Sequence, residues 1–236
     1  AAAAAAAAAA CSDDDGADAG PSALLPELPA ASSPDFSHKV AACALVHCMD
    51  DPNFHKQLLL NTLDALLEVL EALGRDAASI LPALVPLLHR EMAAASSRTR
   101  EGLLKRVARL VSRVGQGCRE HVEQLLSLAH AHWSGHGSAE LQTTCIGLVE
   151  ELAVALPTEL SPQLDTLLPL LLGCIRDEGG ATLPNARRAL GALVALSPCI
   201  APFTAIVVPY VADTFDAADA PLELREEALN VLSVLV

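Results

Sequence analysis

Aromatic residues are nearly missing from this chain: four Phe, one Tyr and one Trp in 236 residues, or 3%. A core cannot rest on ring packing here, and the 52% apolar content is filled largely by Ala and Leu, which favour helix. Also missing are alternating, β-branched runs bounded by hairpin turns, which excludes a β-sandwich or barrel and predicts an all-α chain. Apolar runs are cut by Pro before they reach the length of a bilayer span. Seven Cys, at 11, 43, 48, 118, 145, 174 and 199, include no CxxC pair. Their scatter through apolar stretches predicts buried thiols in a reducing compartment. Bases are absent from residues 1–37, which carry six acids; the remainder holds 23 acids against 15 bases, within a net charge of −14. That balance excludes general nucleic-acid binding, which depends on Lys and Arg against phosphate.

What the chain does have is a repeat. Between Glu140 and Arg176, Val149, Leu152, Ala153 and Leu156 recur at i, i+3, i+4 and i+7, marking one face of a helix. Pro157 stops that helix, and the turn chemistry of Thr158–Ser161 predicts a second one from near Ser161. One such hairpin cannot bury both its stripes and needs copies on either side. The breakers Gly74, Gly115, Pro157 and Pro198 stand 41, 42 and 41 residues apart. Eight residues before them lie Leu66, Val107, Val149 and Leu190; five before, Val69, Leu110, Leu152 and Leu193; four before, Leu70, Val111, Ala153 and Val194. The next step gives Val231, Val234 and Leu235. A two-helix period of about 41 residues predicts a HEAT/armadillo-type α-solenoid.

The expected layout is a low-complexity flexible tail or linker over 1–37, opening on ten alanines, and a solenoid over 38–236. Helix 38–49 is expected to be the second half of a unit. Complete units then pair 55–73 with 78–93, 98–114 with 119–133, 139–156 with 162–176, and 185–197 with 201–215. Helices without partners at both ends predict a segment of a longer array.

Motifs that could carry chemistry are few. His89-Arg90-Glu91 is a faint echo of a kinase catalytic loop, without its Asp base, a Gly-rich loop or DFG. Gly115-Gln116-Gly117 lacks a third Gly and a preceding strand, and reads as a helix cap. His130, His132 and His136 beside Trp133 offer imidazoles for a metal, but at no zinc-motif spacing and with no Cys or carboxylate to complete a shell. Cys43 and His47 share a helix face, where a buried thiol beside a half-exposed imidazole is the plain expectation. The densest feature is basic: Arg98, Arg100, Lys105, Arg106, Arg109, Arg113 and Arg119 face one acid, Glu101. A phosphate or an acidic peptide could dock there. The repeat register favours a ladder of charges between units, because Glu68, Arg109 and Glu151 occupy one repeat position and Asp64 aligns with Lys105.

Three stretches, VVPYVADTFDAADAPLELREEALNVL, EALGRDAASILPALVPLLHR and QLDTLLPLLLGCIRD, give the chain a closer likeness. With Pro82, Pro86, Pro169 and Pro209 in second helices, they resemble part of the N-terminal HEAT array of the target of rapamycin (TOR) serine/threonine kinase family, over roughly 53–236. The loop Phe215–Leu222 followed by Arg225 is the least generic part of the match. The resemblance implies a non-catalytic scaffold in a nutrient and growth signalling complex, with a Raptor-like subunit and a second TOR copy as partners. It implies a cytoplasmic place, extending to endomembrane surfaces as part of a complex, and carries over no catalytic residue and no cofactor. Other readings are a segment of a different HEAT scaffold, such as a nuclear transport receptor or phosphatase scaffold subunit, and a metal-dependent enzyme using the His130–His136 cluster.

Overall fold

A computed structural model describes residues 35–133, 139–175, 183–217 and 220–235. Its long helices are α1 Phe36–Asp50, α2 Leu59–Leu73, α3 Leu81–Ala94, α4 Ser97–Val114, α5 Val122–Trp133, α6 Ala139–Ala155, α7 Leu164–Ile175, α8 Leu183–Ala195, α9 Thr204–Asp216 and α10 Leu222–Leu235. No strand occurs among the described residues, and the fold is an all-α HEAT-type solenoid. Even-numbered helices are the first helices of successive units, and odd-numbered ones the second.

The helices form where the apolar columns require them. Leu66, Val107, Val149, Leu190 and Val231 are all buried, as are Leu110, Leu152 and Leu193. Val69 and Val194 are half-buried, and Val234 is exposed. Consecutive first helices pack side by side, α2 on α4, α4 on α6, α6 on α8 and α8 on α10. Second helices wedge against the next first helix, as α1 does on α2, α5 on α6 and α9 on α10. One apolar core therefore runs from Ala42 to Val231. Hydrogen bonds between side chains and their counterparts one unit away repeat the period: Arg90 to Asp50 spans 40 residues, Arg106 to Asp64 spans 42, and Asn185 to Gln142 spans 43.

Second helices start later than the sequence pattern predicts. Tight 3-10 segments, Gly74–Ile80, Gly115–His121, Ser161–Gln163 and Ala201–Phe203, occupy the connection, so α3, α5, α7 and α9 begin two to three residues downstream of expectation. A separate helical turn, Pro157–Leu160, follows the Pro157 break. α1 begins at Phe36, inside the expected tail, whose remainder up to residue 34 lies outside the described residues. Ser96 caps α4 by accepting a bond from the Thr99 N–H at 3.3 Å.

Two of the breakers act through backbone conformation. Gly74 and Gly115 both have φ 55°, with ψ near −120°, a region that a side chain makes costly. Nothing lies within 4 Å of where a Cβ would sit on Gly115, so an added methyl meets strain in the backbone alone. Gly115→Ala is expected to destabilise the fold by roughly 1–3 kcal/mol in urea melts; an unchanged midpoint would show that the turn relaxes freely.

Candidate interaction surface

The basic helix is built by α4, whose inner face buries Leu103, Val107 and Leu110. Its polar face carries Arg98, Arg100, Lys105, Arg106, Arg109 and Arg113 against Glu101, and it lies beside α2, whose charges are all acidic: Asp64, Glu68 and Glu71. Arg106 and Arg109 share Asp64, the latter at 3.0 Å, and Arg109 also reaches Glu68 at 3.5 Å. Arg113 pairs with Glu71. Arg106 further donates to the carbonyls of Leu60 at 2.9 Å and Gly102 at 3.0 Å, locking its guanidinium across the helix contact. Arg100 donates to the Met92 and Ala93 carbonyls, satisfying acceptors left open at the end of α3. Arg119, past the end of α4, meets Glu159 at 3.0 Å.

The partners differ in two places from those the repeat alignment predicts. Lys105 pairs with Glu101 one turn back on its own helix, not with Asp64. No ion pair joins Arg109 to Glu151 among the described residues; both its partners lie on α2. Helical side chains lean toward the N-terminus and across to the neighbour, so residues in equivalent repeat positions sit at one height without touching.

Charge sign alternates along the whole row of first helices, beyond the three units that Glu68, Arg109 and Glu151 mark in the sequence. α2 is acidic, α4 basic, α6 acidic through Glu140, Glu150 and Glu151, α8 basic through Arg187 and Arg188, and α10 acidic on balance. Arg187 reaches Glu227 of α10 at 3.4 Å. Burial raises the Glu150 carboxyl above its ordinary pKa, with Arg188 opposing the rise. Unlike charges meet at the α2–α4, α6–α8 and α8–α10 contacts, while no ion pair joins α4 to α6 among the described residues.

A second polar tie was also missed. Asn185, fully buried on α8, accepts from the Thr143 hydroxyl and donates to Gln142 at 2.8 Å, and Gln142 in turn reaches the Cys174 sulfur at 3.6 Å. A buried Asn with neighbouring Gln and Thr one unit upstream was the available signal.

The other candidates are structural in their geometry. The His89 ring N–H donates to the Gln124 carbonyl at 2.9 Å, Arg90 bonds Asp50 at 2.6 Å, and Glu91 is buried between Arg90 and Lys56. His89 and Arg90 tie adjacent units together, while Glu91 is held within its own. Cys43 is half-buried, its thiol pKa raised by burial, while His47 and Cys48 are exposed. Cys118 and Cys145 are buried, and burial pushes both thiols up to about 12.

Trp133 is buried, His130 and His132 are half-buried, and His136 lies outside the described residues. Among the described residues no group of His, Cys, Asp or Glu is placed to hold a metal. Burial lowers the pKa of both histidines, and the Arg100 charge adds to this at His132. His130 Nε2 has no hydrogen-bond partner among the described residues. A depressed histidine contributes stability that is present above its ordinary value of 6.5 and is lost as pH falls through the folded value. The melting temperature should therefore drop from about pH 7 to about pH 5.5, and drop less in His130→Gln; equal drops would remove His130 as the cause.

No protein family profile matches the chain. Its sequence is 24% identical over 201 residues, 85% of the chain, to the "Serine/threonine-protein kinase mTor" of Drosophila melanogaster. The chain resembles part of a TOR kinase. The matched region amounts to 8% of that protein's length. No described helix is long and apolar enough to cross a membrane.

Proposed function

We propose that this chain is a non-catalytic, protein-interaction segment of the HEAT array of a TOR-like serine/threonine kinase. The similarity to the Drosophila protein over 85% of the chain carries this reading, because it runs through helices whose contacts repeat unit by unit. In that role the alternating charges of α2, α4, α6, α8 and α10 hold the first helices in register. Arg106, Arg109 and Arg113 serve the contact between units rather than anion capture, since Asp64, Glu68 and Glu71 already engage them, and Lys105 is held by Glu101 on its own helix. The surface left over is for assembly, with a Raptor-like subunit and a second TOR copy as partners, in the cytoplasm or on endomembranes. The acidic stretch before Phe36 acts as a tail or linker.

An antibody raised against the chain, used to recover the native protein for peptide mapping, tests this reading. The expected result is one polypeptide that yields peptides of this sequence together with those of a kinase domain, accompanied by a Raptor-like subunit. A polypeptide without a kinase domain would overturn it.

A further inference from the structure

An apolar groove of about 420 Å³ lies between α7 and α9, two second helices. Its walls are Leu168 and Leu172 on one side and Phe203, Ile206 and Tyr210 on the other. Ile206 is 61% exposed, a large aliphatic side chain at a repeat position where the preceding second helices carry the exposed Asp165, Glu123 and Pro82. The groove follows from how the two layers pack. On the first-helix side, α6 and α8 come together at Gly147 and Gly191: Arg188 occupies the space of a Cβ on Gly147, and Glu150 Oε1 would lie 3.0 Å from one on Gly191. On the second-helix side, bulky Leu, Ile and Tyr side chains hold α7 and α9 apart.

Asp165 is the charged residue in the groove's lining. α7 and α9 contain no Lys or Arg; their ionisable groups include Asp165, Asp213 and Asp216. Asp165 lines the groove and is exposed. Pro169, four residues on, has no N–H to give the Asp165 carbonyl, so that carbonyl lacks its ordinary helical donor. A carboxylate and an underused carbonyl thus stand together at the end where α7 begins.

We infer that this groove docks an amphipathic helix of a partner protein, with large aliphatic anchors at i, i+4 and i+7 and a Lys or Arg that reaches Asp165. The inference rests on the scaffold reading and names the kind of partner. The lining from Leu164 to Gly173 extends for about 14 Å at 1.5 Å per residue, the length of a two-turn row of anchors. A negative rim on a chain of net charge −14 selects a basic flank over an acidic one.

The test is selection from a phage-displayed library of helical 16-residue peptides on the full chain, then fluorescence anisotropy with a labelled winner. Enriched peptides should share the apolar spacing and carry Lys or Arg at one end. Ile206→Asp, at an exposed site, should weaken binding by at least about tenfold while leaving the melting temperature in place. Asp165→Lys should weaken it by about tenfold at low salt and much less at high salt, and an Arg→Glu version of the peptide should regain affinity for it. A library that yields no binder dependent on Ile206 overturns the proposal, as does equal binding of basic and acidic peptides. Concentration-dependent dimerisation of the chain, abolished by Ile206→Asp, would assign the groove to a second copy instead and overturn it too. Failure here would leave the antibody result untouched, whereas a polypeptide without a kinase domain would remove the TOR context and leave the peptide binding standing.

Discussion

Asp64→Lys is expected to destabilise the fold by about 2–3 kcal/mol, more than any other single charge change on the first-helix face. Two guanidiniums converge on this carboxylate, and they differ in setting. Arg109 is half-exposed, so its pair with Asp64 contributes only about 0–1 kcal/mol. The Arg106 side chain is 21% exposed and is already held by the Leu60 and Gly102 carbonyls, so it cannot swing into water when its anion is lost. A hydrogen bond to a charged group in such a place is worth roughly 1.5–3 kcal/mol. Lysine would remove that bond and add a third cation to the cluster. Asp64→Asn keeps one acceptor and should cost about 1 kcal/mol, and Glu68→Lys, on a 65% exposed side chain, less than that. Urea melts at low and high salt read the series: the Asp64→Lys deficit should shrink with salt as repulsion is screened, leaving the lost hydrogen bond. An anion-binding role for α4 gives the opposite expectation, because Asp64→Ala would free Arg106 and Arg109 and raise capture of inorganic phosphate. An Asp64→Lys protein as stable as the native one would defeat the account of the α2–α4 contact.

The period of the array was legible because burial acts on each unit alike. Leu66, Val107, Val149 and Leu190 hold one place relative to the breakers, and all four are buried. The identity of ion-pair partners was not legible in the same way. Repeat alignment equates Asp64 with Lys105, but contact depends on where the side chain leans, and Arg106 and Arg109, one and four residues further on, make the bonds. The 3-10 segments escaped because residues such as Arg75, Asp76 and Ala77 read equally well as the first turn of a helix; what fixes them is Gly74 turning the chain at positive φ. Asn185 was hidden by a search for apolar columns, which passes over a polar residue whose burial is satisfied only by Gln142 and Thr143 of another unit. The groove between α7 and α9 depends on the spread of two helices set by packing on their far side, and no local pattern encodes that.

Leu152→Ala and Val231→Ala should show how stability is distributed along the array. Both side chains are fully buried, and both sit in a first helix. Removing three carbons at Leu152 should cost about 2–5 kcal/mol, with the value set by how far α6 can collapse into the space. α6 packs on α4 and α8 as well as on α5, so its loss breaks the chain of contacts in the middle. α10 packs on α8 and α9, so Val231 answers only to them. In a structure where each unit touches its neighbours alone, loosening a terminal helix leaves distant ones protected. Hydrogen exchange should therefore show Val231→Ala speeding exchange in α10, and mildly in α9, with α2 to α6 unchanged. Leu152→Ala should speed exchange on both sides of the break, from α4 through α8, and lower the urea midpoint of the whole chain. If Val231→Ala accelerates exchange in α2 as much as in α10, the chain unfolds as one unit and its stability is not a sum over nearest neighbours.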